Sequence, residues 1–277
     1  MQEYLLEFEQ IHYTYPGAQQ SALNGLTLKI PSGQRCALIG QNGCGKTTLF
    51  LLANGLYKPD SGIVRWCGEP LNYHRNSLAK LRQKIGLVFQ DPEQQLVAST
   101  VEEDISYGLC NLGLPEAEIK DRVEQALVEF ELTVLAERPV HHLSLGQKKR
   151  VSIADVMVLQ PELLVLDEPT AYLDVKQTRN LIATLKKIHR NGTTLVMATH
   201  DLDLVYRWAD WVFVMDKGQL MLEGKPQDVF NQRTLLEELE LGVPLMYEML
   251  FDGLSAESAV VRERVRQRIL ESFRNFS

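Results

Sequence analysis

Apolar residues along this 277-residue chain fall in a pattern that predicts alternating strands and helices. Short, continuous apolar runs are typical of strands that are buried on both faces. Such runs occur at 35–39, 85–89, 163–166 and 193–199. An amphipathic helix is predicted between the third and fourth runs and ends near His189. Buried strands separated by helical segments predict an α/β fold.

Two segments near the ends of this pattern predict β-hairpins. Residues 6–15 alternate between apolar and polar side chains, and 23–30 reads as the partner strand. A second hairpin is predicted at 211–216 and 219–223, across the turn that Gly218 allows.

The segment from 101 to 136 has a different character, because no strand pattern interrupts it. Within it, residues 116–130 place apolar side chains on one helical face, and Pro115 stands where a helix can start. We therefore predict a helical subdomain, at about 91–160, inserted into the α/β core.

The segment from Gly40 to Thr48 fits the P-loop pattern G-x-x-x-x-G-K-[ST], between a predicted strand and a predicted helix. In such a loop, backbone N–H groups and the helix N-terminus surround phosphates. Lys46 supplies a charge for the β- and γ-phosphates, and the Thr47 hydroxyl is a ligand for Mg²⁺. The residues expected to contact the nucleotide here are Gly40, Asn42, Gly43, Cys44, Gly45, Lys46, Thr47 and Thr48.

Acidic and polar residues follow the other buried strands. Asp167 and Glu168 come directly after 163–166, where Asp167 can hold Mg²⁺ and Glu168 can polarise an attacking water. Two surface charges would give the same pattern, but the upstream P-loop favours catalysis. Gln90 can bind Mg²⁺ and water, although a single glutamine is weak support. His200 can contact a γ-phosphate oxygen.

Two further features leave alternatives open. Ser144 can cap a helix, and the turn through Gly146 can form a second anion site, although Ser144 and Gly146 alone indicate only a capped helix. Tyr13 or Tyr15 can stack on a purine ring, and packing within the sheet explains both equally well.

Composition narrows the functional classes. With 29 basic and 36 acidic residues the net charge is −7, which argues against broad nucleic-acid binding. No apolar run approaches the ~20 residues that span a bilayer, and the first residues lack the pattern of a signal peptide. The four cysteines are far apart, which argues against a disulfide framework or zinc site and fits a reducing cytosol.

The order of these motifs resembles the nucleotide-binding subunit of ATP-binding-cassette (ABC) transporters over roughly four-fifths of the chain. The matching segments are the P-loop at 40–47, a Q-loop at Gln90, a signature at 143–147, the acidic motif at 163–168, a D-loop at 171–174 and a switch histidine at His200. Leu145 departs from the usual signature glycine, and Ala171-Tyr172 departs from the commoner Ser-Ala of the D-loop.

This resemblance implies a P-loop NTPase with a mixed sheet core, an antiparallel β subdomain and an inserted helical subdomain. It implies an ATP-binding domain at 1–230 and a C-terminal helical extension at 231–277. ATP and Mg²⁺ are the implied cofactors, and a second copy or a paralogue is implied as a head-to-tail partner. The implied metal ligands are Thr47, Gln90 and Asp167, the implied catalytic residues are Gln90, Glu168 and His200, and further nucleotide contacts fall to Tyr15, Ser144, Gly146, Gln147 and Asp174.

Within the cassette group, the segments 13–17, 89–96 and 145–150 look like energy-coupling-factor (ECF) importers. That likeness implies a translocating ATPase bound peripherally to the cytoplasmic face of the membrane. Its implied partners are a membrane T component and a substrate-binding S component. The signature form is most similar to the cobalt and nickel branch, with a vitamin importer as the alternative.

Two other functions are less consistent with the sequence. A soluble cassette ATPase of DNA repair or translation usually carries a coiled-coil insertion or two cassettes, and neither is seen here. A regulatory nucleotide binder could lose Glu168 or His200, yet both are present. Residues 256–277 place apolar side chains four apart, which fits either a packed helix or a solvated one.

Overall fold

The computed structural model describes residues 3–247. Its strands are β1 (Tyr4–Tyr13), β2 (Leu23–Pro31), β3 (Arg35–Ile39), β4 (Ser61–Trp66), β5 (Glu69–Pro70), β6 (Ile85–Val88), β7 (Leu163–Asp167), β8 (Thr194–Ala198), β9 (Trp211–Asp216) and β10 (Gln219–Gly224). Its α-helices are α1 (Lys46–Ala53), α2 (Arg75–Lys84), α3 (Val101–Asn111), α4 (Glu116–Glu129), α5 (Leu145–Met157), α6 (Val175–Arg190), α7 (Leu202–Trp208), α8 (Pro226–Phe230) and α9 (Arg233–Glu238). Short 3₁₀ turns occupy Pro92–Gln94, Thr133–Leu135 and Val140–His142.

A six-stranded mixed sheet forms the centre of the fold, with strand order β10-β9-β3-β8-β7-β6. Strands β9, β3, β8, β7 and β6 run parallel, and β10 pairs antiparallel with β9. A second, antiparallel sheet has the order β2-β1-β4-β5. The α/β fold with a mixed sheet and an antiparallel β subdomain is therefore confirmed.

The register of the central sheet brings the functional segments to one edge. Ala198 of β8 pairs with Leu38 of β3 on one side and with Asp167 of β7 on the other. The carboxyl ends of these parallel strands therefore lie side by side. The P-loop, the Asp167–Glu168 pair and His200 all follow these strand ends, where α/β proteins hold ligands.

Helices α3, α4 and α5 build the helical region, and the buried face of α4 includes Val123 and Leu127, as its periodicity predicts. Helix α2 was not predicted from the pattern. Its only buried residue is Leu81, so it lacks the apolar stripe that reveals an amphipathic helix.

Residues 231–247 pack onto the core, because Leu236 and Tyr247 are buried with Ala37 and Val212. The boundary between 1–230 and 231–277 remains a prediction, and the helix expected at 256–277 lies outside the described residues. No helix between residues 3 and 247 is long and apolar enough to cross a membrane.

Candidate active site

The loop between β3 and α1 is packed so closely that only glycine fits at two of its positions. Gly45 caps α1 in the left-handed region, at φ +107°, and an added Cβ would lie 2.6 Å from the Ala22 carbonyl oxygen. At Gly40 a Cβ would lie 2.3 Å from the Met215 carbonyl oxygen. Neighbouring backbone thus fixes the path of the loop.

Lys46 is buried within this loop, and its ammonium group donates hydrogen bonds to the backbone of the loop. Its Nζ lies 2.7 Å from the carbonyl oxygen of Gly40 and 3.1 Å from that of Gln41. The buried thiol of Cys44 lies 3.8 Å from the same nitrogen, and burial raises the pKa of that thiol. The loop therefore holds its ammonium group in place through its own carbonyls.

Thr47 and Asp167 connect the P-loop to the end of β7. The Thr47 hydroxyl donates a 2.6 Å hydrogen bond to Asp167 Oδ2. Burial raises the pKa of Asp167, while this hydrogen bond and the Lys46 charge oppose the rise. One hydroxyl and one carboxylate oxygen, placed together, form a donor set that fits Mg²⁺.

Glu168 begins a turn after β7 with its backbone in the left-handed region, at φ +44°. Its carboxylate is almost fully buried, and His200 Nδ1 lies 3.0 Å from Oε2. Within residues 3–247, Oε2 has no hydrogen-bond partner of good geometry. The carboxylate thus keeps a free acceptor, as a group that takes a proton from water requires.

The other residues expected near the nucleotide lie as follows. Tyr15 is half-buried, its hydroxyl lies 3.0 Å from Thr48 Oγ1, and its ring packs edge-on against Tyr13 and Tyr57. Gln90 is exposed just after β6. Stacking of Tyr15 on adenine and binding of Mg²⁺ by Gln90 remain predictions.

Signature residues and Leu173 of the D-loop line a separate cleft. Ser144 caps α5 in a capping box with Gln147, and Asp174 caps α6 in a second box with Gln177. The two helix N-termini lie side by side, because a Cβ added at Gly146 would be 2.9 Å from the Gln177 side chain. The cleft measures about 260 Å³ and is lined by Ser144, Gly146, Gln147, Lys149, Arg150, Leu173, Gln177, Asn180 and Leu181. None of the P-loop residues lines it.

Sequence reasoning missed the contacts of Gln177 and Lys149. Lys149 is buried on α5, and its Nζ donates to carbonyl oxygens in the turn that begins at Glu168. A lysine within a charged run usually predicts a solvated face, so no local pattern indicated burial.

The Q-loop also contains an internal contact. Gln95 Nε2 donates to the Ser152 carbonyl oxygen at 2.7 Å and to Asp155 Oδ2 at 3.1 Å. Burial raises the pKa of Asp155 to about 7, although the Gln95 hydrogen bond opposes that rise. Gln95 therefore ties the loop to α5, whereas Gln94 is exposed.

Comparison with known proteins agrees with this arrangement. The family model described as ABC transporter matches residues 23–171, which is more than half of the chain. The chain belongs to the ABC transporter family. The match includes the P-loop, the signature segment and the acidic motif.

Two relatives illustrate this membership. A Nostoc protein, provisionally named an ABC transporter ATP-binding protein, is 69% identical over 99% of this chain and 100% of its own length. An energy-coupling factor transporter ATP-binding protein of Methanothermobacter thermautotrophicus is 41% identical over 89% of this chain and 79% of its own.

Two solved structures of the family have the same fold. CbiO1 of Clostridium perfringens, described as part of the ABC transporter complex CbiONQ, has a TM-score of 0.75 and 42% identity. The alignment covers 86% of this chain and 95% of that one. A dimeric ATP-binding cassette bound to ADP and Pi has a TM-score of 0.73 and 28% identity, covering 80% and 99%.

Proposed function

We propose that this chain is the ATP-hydrolysing subunit of an ECF-type importer. One observation carries the catalytic part of the proposal. The P-loop hydroxyl of Thr47 meets Asp167 at the end of β7, and Glu168, with a free acceptor oxygen, is the next residue. This is an arrangement for phosphoryl transfer to water.

The residues divide the work as follows. Backbone N–H groups of the P-loop and the α1 N-terminus bind the phosphates of ATP, together with Lys46. Thr47 and Asp167 would hold Mg²⁺, which would neutralise phosphate charge when bound. Glu168 accepts a proton from water while the water oxygen attacks the γ-phosphorus. The bond between the γ-phosphorus and ADP breaks, and ADP and phosphate are released. His200, whose Nδ1 lies 3.0 Å from Glu168 Oε2, contacts the γ-phosphate.

We infer a head-to-tail dimer from the cleft between α5 and α6. Two capped helix N-termini face this cleft, yet none of the P-loop residues lines it. A second subunit can supply the phosphates that such helix ends favour. In support, a 28% identical cassette is a dimer with ADP and Pi bound. Ser144, Gly146, Gln147 and Asp174 would then contact the partner's nucleotide.

The ECF assignment is supported by the named relative of Methanothermobacter and by the Q-loop and signature forms of this chain. It places the chain peripherally at the cytoplasmic face of the membrane, with a T component and an S component as partners. We propose cobalt or nickel as the substrate, because Leu145 and the basic run after it match that branch. The similarity to CbiO1 supports this choice.

Uptake of labelled cobalt, nickel and vitamins by cells expressing the full complex tests the substrate. We expect metal uptake that Lys46→Ala abolishes. Uptake of a vitamin and no metal would overturn the metal assignment but leave the ATPase assignment intact. The membrane assignment fails if no membrane protein co-purifies with the chain.

A further inference from the structure

Lys149 makes hydrogen bonds that have no part in the proposed steps of ATP hydrolysis. Its Nζ donates to the carbonyl oxygens of Glu168 at 3.2 Å, Pro169 at 2.9 Å and Ala171 at 2.9 Å. An ammonium group has three N–H donors, so these three carbonyls satisfy it completely. One side chain of α5 therefore binds three carbonyl groups of the turn that follows β7.

Burial of the Lys149 ammonium lowers the stability of the fold, so the folded protein does not gain from it. Lys149 is only 4% exposed, and burial lowers the pKa of its ammonium to about 8. An apolar side chain of similar length would fill the same space without desolvating a charge. Ionisable groups whose pKa is shifted by burial are common at functional sites, and this one lies beside the proposed catalytic carboxylate.

The turn that Lys149 holds contains a strained residue. Glu168 has φ +44°, a conformation that is unfavourable for a residue with a Cβ. Its N–H donates to the Ala198 carbonyl oxygen at 3.0 Å, and its carbonyl accepts from the Ala171 N–H at 3.1 Å. Such strain persists only where surrounding contacts fix the backbone. Lys149 lies outside the turn and donates hydrogen bonds to the carbonyls of Glu168, Pro169 and Ala171 together.

We propose that Lys149 is a positioning residue for Glu168, whose ammonium fixes the 168–171 turn so that the carboxylate stays aimed at the attacking water. The inference rests on the proposed ATPase function. It also links two sites, because α5 carries Ser144 and Gly146 at its N-terminus. The helix end that would contact the partner's nucleotide and the turn that carries Glu168 are held together by one side chain.

The test is Lys149→Met, which keeps the length and burial of the side chain but removes the three donors. A displaced general base slows the chemical step without weakening ground-state binding, so we expect kcat to fall about 10–100-fold. The Kd for ATP of the isolated subunit should change by less than about threefold, because ATP bound to one subunit alone contacts that subunit's P-loop, which is untouched. Lys148→Met is the matched control. Lys148 is the preceding residue and pairs with Glu93 at 2.6 Å, so its loss should leave kcat unchanged.

A double-mutant cycle with Glu168→Gln separates positioning from general stability. If Lys149 acts through Glu168, Lys149→Met should cause no further loss once Glu168 is Gln. A further loss of the same size in that background would overturn the proposal. So would a kcat of Lys149→Met within about twofold of the wild type.

Thermal unfolding checks that each variant is folded. If Lys149→Met does not fold, Lys149→Gln takes its place, because the amide retains two donors. Its smaller loss of kcat should likewise vanish in the Glu168→Gln background, and a loss that persists there would overturn the proposal. Failure of the ATPase assignment is distinguishable, since wild type and Lys46→Ala would then hydrolyse ATP at the same rate.

Discussion

The hydroxyl of Thr47 donates to Asp167 across 120 positions of sequence, at 2.6 Å. The two residues come from the start of α1 and the end of β7, and parallel pairing through β8 brings these ends together. The neighbouring Glu168 gains its position from the same pairing. Any change in the register of these strands would therefore separate the P-loop from the Glu168 carboxylate.

Replacing Glu168 with Gln should slow ATP hydrolysis by roughly 10²–10⁴-fold while ATP binding persists, because the amide cannot accept the proton. The variant should also accumulate an ATP-bound dimer. Single-turnover hydrolysis and size-exclusion chromatography with ATP measure the two effects. Glu162→Gln, at an exposed pair with Lys84, is the control. Turnover at the wild-type rate would exclude Glu168 as the general base.

A mixed dimer tests whether the signature acts on the partner's nucleotide. One subunit carries Lys46→Ala and the other carries Gly146→Asp, so both lesions fall on one composite site and the second site stays intact. We expect activity from that intact site. The control places both changes in one subunit beside a wild-type partner, which damages both composite sites. If the signature acted in its own subunit, the control would be the active dimer and the first combination would be inactive.

The exposed Gln94 and the internal Gln95 should respond differently to an acid. Gln94→Glu should spare the basal ATPase of the isolated subunit and abolish transport, if the Q-loop contacts the membrane component. Gln95→Glu places a carboxylate beside Asp155 and loses both hydrogen bonds from Nε2. We expect it to lower the free energy of unfolding by roughly 1–3 kcal/mol. Normal transport by Gln94→Glu would place the docking surface elsewhere.

Asp155 makes stability depend on pH. Its pKa in the fold is about 7, above the ordinary value of 3.8, chiefly through burial and also through the nearby Asp104. The native state keeps a proton that the unfolded state has lost, so this group's contribution to stability falls as pH rises from about 4 to 7. Asp155→Asn keeps the acceptor for Gln95 but cannot ionise. Its stability advantage over wild type should grow by roughly 2 kcal/mol between pH 5.5 and 8.

Chemical denaturation at these two pH values measures that advantage. Asp121→Asn, at an exposed position of α4, controls for the loss of one negative charge. An advantage that is the same at both pH values would show that Asp155 does not ionise differently in the folded chain.

The sequence by itself determined the P-loop, the acidic pair after β7, the helix cap at Ser144 and the mixed α/β character of the fold. These features depend on residues close together in the chain, such as glycine spacing, a run of buried apolar residues or a polar cap. The same local logic predicted the bounds of β3 to the residue. It failed for α2, whose polar surface contains no apolar stripe.

Only the tertiary structure decided which distant groups meet. That Thr47 contacts Asp167, that Gln177 lies against Gly146, that Gln95 ties the Q-loop to Asp155 and that Lys149 is buried beneath the Glu168 turn all depend on how separate elements pack. Propensity and periodicity say which face of an element is apolar, but not which partner covers it. A lysine next to two other basic residues is expected in water, and its burial here follows only from the three carbonyls that another segment brings to it.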